Sequence, residues 1–113
     1  MKRLAQGPPA QKTTDLGPQA DSTQASSISR FLETAKSEGQ VLVGGERATD
    51  VGDNFIQPTI FTGLKDSSDI NQLEVFGPVL VLHEFSDEEE VIQRANDTEC
   101  ELLVPSCHSL DYY

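Results

Sequence analysis

Between positions 25 and 35 the apolar residues recur at helical spacing. Ala25, Ile28, Phe31, Leu32 and Ala35 fall on one stripe of a helix. The spacing predicts a helix over about 21 to 38. Asp21 offers an N-cap oxygen and Gln24 follows three residues later. Lys36 suits the negative end of the helix dipole, and Gly39 is the expected stop. Gln40-Val41-Leu42-Val43 then reads as a short strand, halted by Gly44-Gly45. A glycine pair cradles phosphate only ahead of a helix N-terminus. Here Glu46, Arg47, Asp50 and Asp53 follow without helical periodicity, so a turn and a loop are expected. Positions 55–61 are rich in strand-forming residues, but Pro58 confines that strand to an edge or bends it.

The second half is organised around Glu74-Val75-Phe76-Gly77-Pro78-Val79-Leu80-Val81-Leu82. In an extended chain, residues two apart point to the same side, so Glu74 and Phe76 would share a face. Gly77 permits close approach and unusual backbone angles, and Pro78 pushes Gly77 out of the helical region. The unbroken apolar run from Val79 reads as a strand buried on both faces, extending to about residue 85. Ser86, with Glu89 three residues on, predicts a capping box. The acids at 87–90 match the positive end of a helix dipole. Val91, Ile92 and Ala95 would be the buried face of this helix, which ends near Asn96. Strands alternating with helices predict an α/β layer arrangement, with short strands in a mixed or parallel sheet and two covering helices.

Bulk properties narrow the setting. With 113 residues the chain is one domain or part of one. Its hydrophobic content of 36% lies below the roughly 45% of ordinary globular domains. A net charge of −11 argues against nucleic acid and against anionic membrane surfaces. No apolar run reaches the ~20 residues of a membrane span, and no secretory signal follows Lys2 and Arg3. A cytoplasmic setting is the expectation. Cys100, Cys107, His83 and His108 do not make a zinc spacing, so no metal is expected.

Glu74-Val75-Phe76-Gly77-Pro78-Val79 resembles the Glu-Ile-Phe-Gly-Pro-Val signature of the NAD(P)-dependent aldehyde dehydrogenases. Four further stretches resemble that family, in its order and near its spacing. They are Leu16-Gly17-Pro18-Gln19-Ala20-Asp21, Glu38-Gly39 leading to Gly44-Gly45, Phe55-Ile56-Gln57-Pro58-Thr59-Ile60-Phe61, and Ala95-Asn96-Asp97-Thr98-Glu99. The resemblance covers about residues 7 to 102. It implies a partial aldehyde dehydrogenase-like catalytic domain at 21–102, a loop leader at 1–20 and an unrelated tail at 103–113. A chain so composed looks like a truncated or aberrantly spliced reading frame.

The resemblance implies an oxidoreductase that converts an aldehyde to a carboxylic acid with NAD or NADP as acceptor. In that family a cysteine thiolate attacks the carbonyl, hydride passes to the nicotinamide, and a carboxylate base helps water release the acid. The family's nucleophile, general base, oxyanion donor and dinucleotide-binding half all precede the Gly17-Pro18 stretch. No catalytic residue is therefore expected here, and neither Cys100 nor Cys107 matches the nucleophile. Two cofactor-binding residues carry over: Glu74 matches the glutamate that hydrogen-bonds the nicotinamide ribose, and Phe76 the phenylalanine beside it. Taken without the resemblance, Glu74 reads as a surface acid and Phe76 as a core ring. The sequence departs from the pattern at Leu73, where a second Glu is common, at Cys100, where Tyr is common, and at Glu101, where Gly usually follows. The expectation is a fragment that is inactive alone. The alternative is a non-catalytic interaction protein that associates with full-length family members through exposed sheet edges.

Overall fold

In the computed structural model, residues 4–98 are described. A 17-residue helix, α1 (Ser22–Glu38), leads into a short strand, β1 (Gln40–Val43). A loop returns the chain to β2 (Thr59–Thr62), followed by one helical turn, α2 (Asp69–Gln72). Then come β3 (Val79–Leu82) and α3 (Glu88–Asn96). The strands form one sheet in the order β1-β2-β3. β1 pairs antiparallel with β2, and β2 pairs parallel with β3, so the sheet is mixed. The α/β architecture is the expected one.

α1 starts where the sequence places it. Asp21 is the N-cap and its Oδ1 accepts from the Gln24 amide at 2.8 Å. That bond satisfies one of the four donors a helix start leaves open. Ala25, Ile28, Leu32 and Ala35 turn inward and join Ile56, Phe61, Leu64 and Ile70 in a single core. On the sheet, Val41, Phe61 and Val81 pair across the three strands on the side that faces α1. Phe61 is fully buried at the centre of this layer. Burying a side chain of that size contributes about 1.5–3 kcal/mol.

The glycine pair is a turn. Gly44 and Gly45 take φ of 70° and 95°, a region that favours glycine over residues with a Cβ. A Cβ on Gly44 would collide with the carbonyl oxygen of Pro58, and the Gly45 amide donates to Thr59 Oγ1 at 2.9 Å. The turn thus folds tightly onto the start of β2. Pro58 precedes β2, which begins at Thr59 and not at 55.

Three expectations are corrected. β3 is not buried on both faces: Val79 and Val81 pack on the core, while Leu80 and Leu82 are 48% and 45% exposed. Among the described residues, only the face toward α1 has a helix packed on its core side chains. β3 also stops at Leu82 and does not run to 85. Finally, the acidic cap sits one residue later than predicted. Asp87 is the N-cap and accepts from the Glu90 amide at 2.8 Å, while Glu90 Oε2 reaches back to the amide and hydroxyl of Ser86. Asp outcompetes Ser for the cap because its carboxylate is the stronger acceptor for a helix-start amide.

α3 buries none of its residues, and Ile92 is 52% exposed. The expected apolar face of Val91, Ile92 and Ala95 therefore has no cover among the described residues. Polar contacts tie α3 down instead. Arg94 meets Asp66 at 3.1 Å, Glu90 at 2.7 Å and the Glu84 carbonyl at 3.0 Å, and Gln72 Nε2 donates to the Asp97 carbonyl at 3.0 Å. Glu99, Cys100, Glu101, Cys107, His108 and the proposed tail at 103–113 lie outside the described residues.

Candidate functional site

Between α2 and β3 the chain crosses the N-terminal end of α1 as an irregular segment carrying Glu74, Val75, Phe76 and Gly77. Its middle residue, Val75, packs on the core, which fixes the segment to the fold. Phe76 is 70% exposed, so it is not a core ring. Glu74 is half-buried, and it makes no hydrogen bond or ion pair with the other described residues. An ionised carboxylate offers several acceptor sites. Here they are free among the described residues, two positions along the chain from a ring whose surface is also uncovered.

Two consecutive three-residue turns shape the exit from this segment. The Gly77 amide donates to the Val75 carbonyl at 2.6 Å, and the Val79 amide to the Gly77 carbonyl at 2.8 Å. The second turn is centred on Pro78, whose ring already fixes a suitable φ. The Pro78 carbonyl then accepts from the Thr59 amide at 2.9 Å, which starts the β2–β3 pairing.

Gly77 has a role the sequence reading stated only in general form. It is not among the glycines with positive φ. A Cβ here would lie 2.6 Å from Ile28 Cδ1 and 3.0 Å from Ile28 Cγ1. Ile28 is buried at 2% exposure and has no room to yield. Glycine is therefore present for space: it lets the 74–78 segment lie directly on α1.

Gln24 is a contributor the sequence analysis assigned elsewhere. Its side chain was expected to reach back to the helix cap. Instead Nε2 donates to the Phe76 carbonyl at 2.6 Å. The only sequence signal was a glutamine at the third helical position, which is also the capping-box position. Arg47, which the sequence places only in a loop, has a structural part as well. It ties that loop to α1 through Ser29 Oγ at 2.9 Å, Ser26 Oγ at 3.0 Å and the Asp53 carbonyl at 3.2 Å.

A second polar cluster lies at the far end of the sheet. An open cavity of about 610 Å³ is lined there by Thr62, Gly63, Leu64, Lys65, Asp66, Leu82, His83, Glu84 and Arg94. His83 Nε2 lies 3.2 Å from Asn71 Oδ1. Partial burial lowers the His83 pKa from its ordinary 6.5; Asp66 opposes that shift and Arg94 adds to it. Arg94 pairs here with Asp66 and Glu90, and these ion pairs anchor α3.

The model of the aldehyde dehydrogenase family matches residues 1–103. An aldehyde dehydrogenase of Enchytraeus buchholzi is 42% identical over 98 residues, which is 86% of this chain and 20% of that protein. Betaine aldehyde dehydrogenase of Brucella anthropi is 41% identical over 103 residues, 87% of this chain and 21% of that protein. Among solved structures, a 1-pyrroline-5-carboxylate dehydrogenase from Thermus with bound NAD superposes with a TM-score of 0.78 at 40% identity. It covers 85% of this chain, which covers 18% of the Thermus chain. The chain thus spans about a fifth of the length of these relatives. Sequence and fold agree over nearly all of the described residues: the chain belongs to the aldehyde dehydrogenase family.

Proposed function

We propose that residues 74–78 form one wall of the nicotinamide end of a cofactor site, within an oxidoreductase that oxidises aldehydes with NAD or NADP. The observation that carries this reading is the pairing of a free, half-buried Glu74 carboxylate with an exposed Phe76 ring on a segment pinned from behind. The NAD bound to the similar Thermus enzyme supports the same direction.

The residues fit the group. Glu74 accepts hydrogen bonds from vicinal hydroxyls of a ribose, which as neutral donors pair well with an acceptor-only carboxylate. Phe76 offers an uncovered apolar surface against which a flat ring can lie. Gln24 and Val75 hold the wall still, so less ordering is left to be done when the cofactor binds. When bound, the nicotinamide supplies the hydride acceptor. The substrate is an aldehyde, which loses hydride and gains the oxygen of water to become a carboxylic acid.

The 113-residue chain by itself does not turn over. No residue in it matches the family's nucleophile or general base, and it spans about a fifth of its relatives. Two experiments test these statements. Purified chain is assayed for NADH formation with a panel of aldehydes, where turnover above a heat-killed control contradicts inactivity. A chimera in which this chain replaces the matching part of the Thermus enzyme is then assayed with Glu74→Ala and Phe76→Ala. The reading expects cofactor affinity to fall by at least about tenfold, or ~1.4 kcal/mol. Unchanged affinity in both variants contradicts it.

A further inference from the structure

His83 directly follows β3 and opens the connection to α3. From α3, Arg94 Nε reaches back across 28 positions to the Asp66 carboxylate at 3.1 Å. His83, Asp66 and Arg94 line the same open cavity. Asn71 settles how the imidazole is held there. Its Nδ2 donates to the Lys65 carbonyl at 2.8 Å, which turns its Oδ1 to His83 Nε2 at 3.2 Å. An amide oxygen only accepts, so Nε2 carries the hydrogen and Nδ1 is the nitrogen open to a second proton. Protonation therefore keeps the Asn71 bond and adds a full positive charge in place.

The charged groups around that position are Lys65 and Asp66 before α2, Glu84 beside His83, and Arg94 with its partner Glu90 on α3. A charged imidazole repels Arg94 and attracts Asp66, the carboxylate that ties Arg94 to the body of the fold. We infer that His83 and Arg94 compete for Asp66, so that protonation of His83 releases α3 while the core between α1 and the sheet stays folded. Partial burial already favours the neutral imidazole, Asp66 opposes it and Arg94 adds to it. A tie that disfavours the proton is, by linkage, disfavoured by it. Histidine titrates between about pH 5 and 8, where Asp66 and Glu90 remain carboxylates. This device stands apart from any role of Glu74 or Phe76 toward cofactor.

The test measures amide protection factors of the full 113-residue chain from about pH 7.5 to about 5.5, beside an NMR titration of His83. Protection at residues 88–96 should fall by about threefold or more, within the limit of about tenfold per pH unit that one proton sets. Its midpoint should follow that of the His83 ring, and protection at 59–62 should not change. His83→Gln keeps a donor for Asn71 and takes no proton, so its α3 protection should stay level across the range. His83→Lys makes the charge permanent and should lower α3 protection at neutral pH. If either variant loses protection at 59–62 as well, Asp66→Asn takes its place. Without the shared carboxylate, protection at 88–96 should be low at neutral pH and flat with pH. Protection at 88–96 that survives the titration of His83 in the wild type overturns the inference. So does an acid loss that persists in His83→Gln, or wild-type protection of α3 in His83→Lys or Asp66→Asn.

Discussion

Gln24 Nε2 donates to the main-chain carbonyl of Phe76 at 2.6 Å, across 52 positions of sequence. The first turn of α1 thereby holds the segment that carries Glu74. Replacing Gln24 with Ala removes the donor and leaves the carbonyl to water. The expected loss is about 0.5–1.5 kcal/mol, typical of one hydrogen bond. Urea unfolding measures the loss, and faster amide exchange confined to residues 75–79 locates it. An unchanged exchange pattern would show that the bond does not hold the segment.

Gly77 and Ile28 form the companion contact. A methyl group at 77 meets Ile28 Cδ1 at 2.6 Å. Gly77→Ala should therefore destabilise by about 1–3 kcal/mol through overpacking. Ile28→Val removes the offending methyl at a cost of about 0.5–1.5 kcal/mol. The double variant should be more stable than the sum of the two changes predicts, because the second creates room for the first. Thermal or urea melts of the four proteins decide this. Simple additivity contradicts the close approach.

Among the described residues, α3 has no buried side chain and is tied down by Arg94. In 1 M salt the screening length is about 3 Å, and half-exposed ion pairs weaken. Both salt and Arg94→Ala should release α3 while the core of α1 and β2 stays folded. Exchange at residues 88–96 should accelerate, with protection at 59–62 unchanged. Equal acceleration in both regions would mean that α3 is part of the main cooperative unit.

His83 supplies a pH dependence of known sign. Partial burial lowers its pKa below the ordinary 6.5, against Asp66 and with Arg94. The unfolded chain then binds more protons than the folded one between the two values. Stability from this group is fully present above about 6.5. It is lost as pH falls from there through the folded value. An NMR titration should give a His83 midpoint below 6.5, and His83→Gln should flatten the pH dependence of stability in that window. A midpoint above 6.5 reverses the sign and contradicts the assignment.

Much of this was legible in the chain. The stripe from Ala25 to Ala35 identifies α1, and Asp21 identifies its cap, because both signals are local and periodic. The five family stretches also point to the correct family. The exposure of Leu80 and Leu82 was not legible, since an apolar run states what a strand is suited to bury and not what covers it. The purpose of Gly77 was only half legible: sequence supplies a residue without a Cβ, and only the approach of Ile28 reveals why. Gln24 was misassigned because its partner at Phe76 is a main-chain oxygen, which leaves no mark in the side-chain sequence. The cap of α3 slipped by one residue because Ser86 and Asp87 are both good caps and stand side by side.

The most direct measurement is a crystal structure of the chimera described above, soaked with NAD. The account predicts a Glu74 carboxylate oxygen within about 3 Å of a nicotinamide-ribose hydroxyl, the distance of an O–H···O⁻ bond, with the Phe76 ring alongside. A bound cofactor whose ribose lies beyond hydrogen-bond reach of Glu74, on the other side of the segment, would contradict it.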